Sequence, residues 1–176
     1  MNRMTTRLVL LYTVPLLSLS ACRQGSEAGT LTDPAGYTVT IPSGWEAAEH
    51  FGTDNLIRAD ISKNSSMGLQ IRLTDTTPYD FTSTAEAMIQ DYAGDMSSHY
   101  GGYCTETERF YPEAGDQALT ACFHAEWEDG SEWFLQLSLV RRNSMLVIFQ
   151  CGCSWEDRQE GRQRFDQVVE SIVFDE

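Results

Sequence analysis

The sequence has few basic residues and lacks the common catalytic and phosphate-binding motifs. In 176 residues, 12 Lys and Arg are outnumbered by 26 Asp and Glu, giving a formal net charge of −14 at pH 7. A chain this acidic lacks the basic surface of a nucleic-acid-binding protein. It contains no Gly-x-Ser-x-Gly or His-Glu-x-x-His motif, and its 13 glycines form no phosphate-binding loop. We therefore expect no catalytic residue, no metal site and no cofactor.

Long apolar runs are also missing, apart from one near the N-terminus. Residues 8–19 are mostly apolar, but this run is too short to span a bilayer comfortably. The remainder contains most of the 8 Phe, 7 Tyr and 4 Trp residues, and 41% of the whole chain is hydrophobic. This composition is typical of a globular protein, and the length suits a single domain.

The apolar run has the features of a cleaved export signal. Arg3 and Arg7 precede it without any acidic residue, and it ends in the sequence Leu19-Ser20-Ala21-Cys22. This ending resembles the lipobox of bacterial lipoproteins, in which the cysteine receives lipid. The resemblance implies that the chain is cut before Cys22, which becomes a diacylglycerol-modified first residue. Several acyl chains hold a protein on a membrane where one would not.

Two other interpretations of this segment stay open: an ordinary secretory signal cut after Ala21, and an uncleaved anchor. Each places the domain outside the cytoplasm. Arg23 stands where Asp would favour retention at an inner membrane, so the sorting rule favours the outer membrane if the host has two membranes. We expect a signal peptide at 1–21, a lipidated flexible tether at 22–35 and one domain at 36–176.

The first half of the domain predicts strands followed by a helix. Tyr37–Ile41 alternates apolar and polar residues and stops at the turn residues 42–44, while residues 56–61 and 67–73 predict a β-hairpin. Residues 83–86 match a capping box that Ser83 begins. An apolar stripe at helical spacing follows, formed by Ala85, Met88, Ile89, Tyr92 and Met96.

Residues 103–153 predict four consecutive antiparallel strands, with turns at 112–115, 129–130 and 142–143. One face of the second strand is apolar and predicts a core surface: Leu119, Ala121, Phe123, Ala125 and Trp127. It matches Trp133, Leu135, Leu137 and Leu139 on the third strand only if the loop between them has an odd number of residues. Ser154 then caps a second helix, and a short strand at 172–174 ends the chain.

Both ends of the domain resemble a known family. Residues 36–45 (GYTVTIPSGW) and 165–174 (FDQVVESIVF), with the long antiparallel region between them, are similar to the PsbP-like domains of many bacterial lipoproteins. The resemblance implies an α+β fold, mainly an antiparallel β-sheet flanked by two or more α-helices. It also implies an accessory or binding role, and it transfers no catalytic residue.

Four cysteines remain once Cys22 is assigned to the lipid: Cys104, Cys122, Cys151 and Cys153. An even number in an oxidising compartment predicts disulfides, and three connectivities are possible. A turn centred on Glu113 would place Cys104 directly opposite Cys122 on paired strands. We therefore expect these two to bond, which leaves Cys151 and Cys153 together.

The Cys151-Gly152-Cys153 sequence permits several interpretations. The pair can form a structural disulfide, or a strained disulfide that is readily reduced and serves a redox function. It can also hold a metal together with His124 or Glu126, although the usual C-x₂-C spacing is absent, or remain as free thiols. Nearby Glu156 and Asp157 count against a reactive thiolate.

We expect structural roles for the histidines and for the acidic residues at one hairpin tip. His50, His99 and His124 are scattered along the sequence. The acidic hairpin tip, formed by Glu126, Glu128, Asp129 and Glu132 with Trp127 and Trp133, could bind a cation or a carbohydrate, yet acidic tips and aromatic pairs are common in ordinary hairpins.

The sequence as a whole predicts a membrane-anchored extracytoplasmic lipoprotein that acts as an accessory or binding module of the cell envelope. Its expected contacts are the membrane, through the lipid anchor, and an envelope protein or a small ligand, with no nucleic acid. The alternative is a thiol-disulfide protein that uses Cys151 and Cys153.

Overall fold

The computed structural model describes residues 29–34, 36–51, 54–62, 65–75 and 80–175, and for 46–51, 54–62 and 65–75 it describes the backbone. The elements are β1 (Gly29–Asp33), β2 (Tyr37–Ile41), β3 (Trp45–Phe51), β4 (Asp54–Ser62), β5 (Ser65–Asp75), α1 (Phe81–Tyr100), β6 (Gly102–Phe110), β7 (Gln117–Trp127), β8 (Glu132–Arg142), β9 (Met145–Ser154), α2 (Arg158–Glu170) and β10 (Val173–Phe174). A single 3-10 turn, Trp155–Asp157, joins β9 to α2. Of the described helices, neither combines the length and apolarity needed to cross a bilayer.

The strands form two antiparallel sheets. The large sheet has the order β3-β4-β5-β9-β8-β7-β6, and the small one has the order β1-β2-β10, which joins the two ends of the domain. The predicted α+β fold, the β4–β5 hairpin and the four-stranded meander β6–β9 are confirmed. In this order β6 lies three strand positions from β9.

The side of the large sheet that faces α1 holds one half of the core. Phe123 pairs with Leu135, and Leu119 with Leu139, so the predicted apolar faces do meet. The backbone N–H of Trp127 donates to the Ser131 carbonyl, which leaves a loop of odd length at 128–130. Four members of the predicted helical stripe are buried against this face, namely Ala85, Ile89, Tyr92 and Met96.

The opposite side of the same strands is also covered, by α2 and the small sheet. Phe165, Val168 and Val169 of α2 are buried against Phe149 of β9 and Tyr37 of β2. The central strands therefore have buried residues on both faces. The alternation along β7 did not predict this, since Thr120 and Cys122 are polar or weakly polar residues, yet both are buried.

Three local predictions need correction. The predicted tether is shorter, because Gly29–Asp33 pair with β2 as strand β1. Helix α1 begins three residues earlier than the capping box suggests: Asp80 is the N-cap, and its carboxylate accepts from the Ser83 backbone N–H at 3.4 Å and from the Ser83 hydroxyl at 2.7 Å. Ser154 does not cap α2: it precedes the 3-10 turn without a side-chain cap hydrogen bond, and the N-cap of α2 is Asp157. In addition, Trp45–Phe51 forms strand β3, which the sequence pattern did not reveal. Cys22 and the signal segment lie outside the described residues.

Candidate functional site

Strand β6 lies at one end of the large sheet, and β7 is its only strand neighbour among the described residues. Thr107 is an extra residue in this strand: Glu106 pairs with Phe123, and Glu108 with Cys122, so two steps along β6 match one along β7. Such a bulge shifts by one the alternation of side chains between the two faces. As a result, charged side chains of β6 reach both helices.

On the α1 side, the guanidinium of Arg109 is held by two carboxylates. It donates from Nε and Nη2 to the two oxygens of Glu106, each at 2.7 Å, and Nη1 lies 4.0 Å from Glu86 on α1. The hydrogen bond to Glu106 raises the pKa of Arg109. These side chains line an open groove of about 490 Å³ between α1 and β6, with Ile89 and Phe123 at its floor.

On the α2 side, Glu108 accepts hydrogen bonds from both terminal nitrogens of Arg162, and the arginine also lies over the ring of Phe110, 4.9 Å from its centroid. These hydrogen bonds lower the pKa of Glu108. The arrangement ties the edge strand to α2 across 54 positions of sequence. Local sequence spacing carries no signal for such a pair, so the sequence did not predict it.

Beneath Arg162 is a buried polar network. Gln136 donates from Nε2 to Asp166 at 2.9 Å and to the Ser138 hydroxyl at 3.3 Å, while the Thr120 hydroxyl donates to Ser138 at 2.8 Å. Burial raises the pKa of Asp166, and the Gln136 hydrogen bond and the charge of Arg162 partly offset this effect. Because its polar atoms are paired with one another, the network fixes α2 on the sheet.

Cys104 and Cys122 are not opposite each other. Cys104 pairs with Ala125, and Cys122 with Glu108. Cys104 packs against the α1 half of the core and Cys122 lies in the α2 half, on opposite faces of the sheet. The predicted direct contact is wrong because the connection and the Thr107 bulge shift the register, and no disulfide can pass through a sheet.

Cys151 and Cys153 both face α2 from strand β9, and the structure has all four described cysteines as free thiols. Two strand steps set their Cα atoms about 7 Å apart, at the outer limit for a disulfide. Burial raises the pKa of Cys153 to about 12 and that of Cys151 well above its ordinary value. Their pairing stays a prediction.

His124 also faces α2, where its ring packs 4.1 Å from the ring of Trp155. Its Nε2 lies 3.3 Å from Glu132 but is not aligned for a hydrogen bond. Among the residues that the structure describes, no three His, Cys, Asp or Glu side chains are grouped to hold a metal ion. His99 contacts the edge of Tyr100, and the side chain of His50 lies outside the described part.

The aromatic residues near the acidic hairpin tip are engaged in packing. Trp127 stacks on Tyr100, the last residue of α1, at 4.5 Å between ring centroids, and Trp133 donates from Nε1 to the Ser131 hydroxyl at 3.3 Å. Asp129 accepts from the backbone and hydroxyl of Ser131, at 2.9 and 2.6 Å. The tip thus holds its own turn together.

Comparisons with known proteins identify the class of fold. No family model and no curated protein matches the sequence. Among solved structures, the chain is similar to CyanoP, the PsbP of Synechocystis sp. PCC 6803, with a TM-score of 0.66, 17% identity, and coverage of 91% of this chain and 99% of that one.

Two further solved structures have the same architecture. The Ran-binding protein Mog1p of Saccharomyces cerevisiae has a TM-score of 0.54 at 11% identity, covering 84% of this chain and 95% of its own. LpqN, involved in cell envelope biogenesis of Mycobacterium tuberculosis, has a TM-score of 0.54 at 10% identity, covering 86% and 93%. The chain therefore has the PsbP-like α+β fold. At such identities the likeness defines fold and not function.

Proposed function

We propose that this protein is a lipid-anchored, extracytoplasmic lipoprotein that acts as an accessory binding module of the cell envelope. The lipobox ending at Cys22 supports the anchor. Strand β1 begins at Gly29, seven positions later, and seven residues span at most about 25 Å. The folded domain is thus held close to the membrane surface. Arg23 favours the outer membrane where the host has two.

The observation that carries the binding role is the closed interior of the domain. Among the described side chains, α1 covers one face of β6–β8, α2 and the small sheet cover the other face of the central strands, and the buried polar side chains of the network bond to one another. This described part of the core leaves no deep, water-excluding pocket between α1, the central strands and α2, whereas the edge strand β6 and its flanking helix remain open. The PsbP-like fold and the envelope role printed for LpqN are consistent with this proposal.

The thiol-disulfide alternative gains no support from the site. Cys151 is 3% exposed and Cys153 is fully covered, and a Cβ placed at Gly161 of α2 would lie 2.5 Å from the Cys153 sulfur. The thiolate is the attacking species in disulfide exchange, and burial disfavours it here. A redox partner would have to displace α2 to reach either sulfur.

The anchor is tested by Cys22→Ser in the full chain, produced in the native host and fed a clickable fatty acid. We expect the wild type to label and sediment with membranes, and the variant to lose the label. Cys104→Ser is the matched control and should label normally. Labelling that survives Cys22→Ser, or a wild type that never labels, would contradict the proposal.

A further inference from the structure

Two of the large apolar side chains that are exposed among the described residues flank the edge strand β6. Among the described residues three such side chains are exposed: Tyr103 at 46%, Tyr111 at 69% and Val173 at 62%. The two tyrosines bracket β6, one near its start and one directly after its end. Exposed tyrosine is enriched where proteins bind one another.

The edge of β6 also has unused backbone hydrogen-bonding capacity. Within the described residues, β7 pairs with one side of β6 and no strand pairs with its other side, which is the geometry that accepts an added strand. The bulge at Thr107 interrupts the ladder, which leaves the stretch 102–106 as the regular part. Tyr103 lies within that stretch.

The charge around this edge is strongly one-sided. Residues 80–130, which contain α1, β6 and β7, include eleven acidic residues and one arginine, a net charge of −10 against −14 for the whole chain. That arginine, Arg109, is already held by Glu106 and lies close to Glu86. Arg162 of α2 also reaches β6, where it is held by Glu108. A second copy placed on the same edge would bring two such faces together, so like-charge repulsion disfavours self-association.

We propose that the edge of β6 over residues 102–106 docks an extended basic segment of a partner protein, which adds a strand to the large sheet and packs against Tyr103. This inference rests on the proposed binding function and names the partner's chemistry. The added strand supplies backbone hydrogen bonds, and its lysines or arginines face the acidic surface of α1 and β7. Association is therefore salt-dependent.

The test uses the mature protein extracted from membranes in detergent, and a short synthetic peptide of alternating Lys and Thr as the probe. We expect saturable binding and slower amide hydrogen exchange in residues 102–106, measured by mass spectrometry. The same peptide with Glu in place of Lys is the control and should not bind. Loss of a central aromatic contact commonly weakens binding about tenfold, and we expect that for Tyr103→Ala, with Tyr103→Phe close to wild type.

Two matched charge variants distinguish binding at this edge from a general attraction between a basic peptide and an acidic protein. Glu86→Lys lies beside β6 in the groove and should weaken peptide binding, whereas Glu170→Lys at the end of α2 makes the same charge change elsewhere and should not. Val173→Ala is the control for loss of an exposed apolar side chain.

Four outcomes would overturn the inference: no binding, protection outside residues 102–106, equal effects of the two lysine variants, or exchange protection that appears on self-association without peptide. The Cys22 labelling experiment does not involve this edge, so a failed anchor and a failed docking edge are told apart. If Cys22 is lipidated but the peptide protects another surface, the proposed binding function stands and the docking site at residues 102–106 is refuted.

Discussion

Gly161 shows how one small residue determines the position of a helix. It is buried on α2, and a Cβ there would lie 2.5 Å from the sulfur and 3.6 Å from the Cβ of Cys153. We expect Gly161→Ala to destabilise the fold, because overpacking costs about 1–3 kcal/mol and outweighs a helix-propensity gain of about 1 kcal/mol. Urea unfolding measures the difference.

Gly94 is the matched control, since it lies on α1 and an alanine methyl there would meet no neighbouring atom within 4 Å. Gly94→Ala should stabilise by about 0.5–1 kcal/mol. Adding Cys153→Ala to Gly161→Ala should recover part of the loss. Equal stabilisation by both glycine substitutions would show that α2 does not lie this close to β9.

The N-cap residue Asp80 is expected to affect how the stability of the fold changes in acid. Its hydrogen bonds from Ser83 lower its pKa below 3.8, so its contribution is present at neutral pH and is lost as pH falls through that lowered value. We expect Asp80→Asn, which keeps a cap acceptor, to resemble the wild type at pH 7 and to lose less stability between pH 5 and 3. Urea midpoints across that range measure it, and parallel wild-type and variant curves would contradict the assignment.

At the residue scale the sequence predicts apolar contacts well and polar ones poorly. The alternation along β7 identified Leu119 and Phe123 as core, because burial on one face leaves a two-residue period. The Glu108–Arg162 pair joins elements far apart in sequence, and no spacing rule reaches that far.

At the scale of elements, the bulge in β6 is the feature that most changes the site. Periodicity located all four strands of the meander and both helices, since each buries a regular face. Register depends on turn geometry and on one inserted residue, which composition does not encode. That is why the predicted opposition of Cys104 and Cys122 failed while the strands themselves were correct.

The register of β6 against β7 can be tested with an engineered disulfide. Ala125 is the partner of Cys104, and directly paired residues have Cα atoms about 4.5–5.5 Å apart, within disulfide range. We expect Ala125→Cys to form a disulfide with Cys104 under mild oxidation, read by peptide mapping. A Cys104–Cys122 disulfide in the native protein would contradict this register.

At the scale of the whole molecule, buried thiols make the fold sensitive to alkali. Burial raises the pKa of Cys104 to about 11 and those of Cys122 and Cys153 to about 12. Their contribution is present below the unfolded thiol pKa of about 8.5 and is lost as pH rises through the folded values. Under reducing conditions the unfolding free energy should fall from pH 8 to pH 11, and less steeply in Cys153→Ala. A flat profile would contradict the thiol burial.

At this scale the proposal joins three features: a core covered by α1 and α2, an acidic edge at β6, and a lipid anchor at Cys22. The most direct test of that account is the intact mass of the protein purified from native membranes. We expect a chain that begins at Cys22 and carries diacylglycerol on that residue. A chain that keeps residues 1–21, or one that begins at an unmodified Cys22, would contradict it.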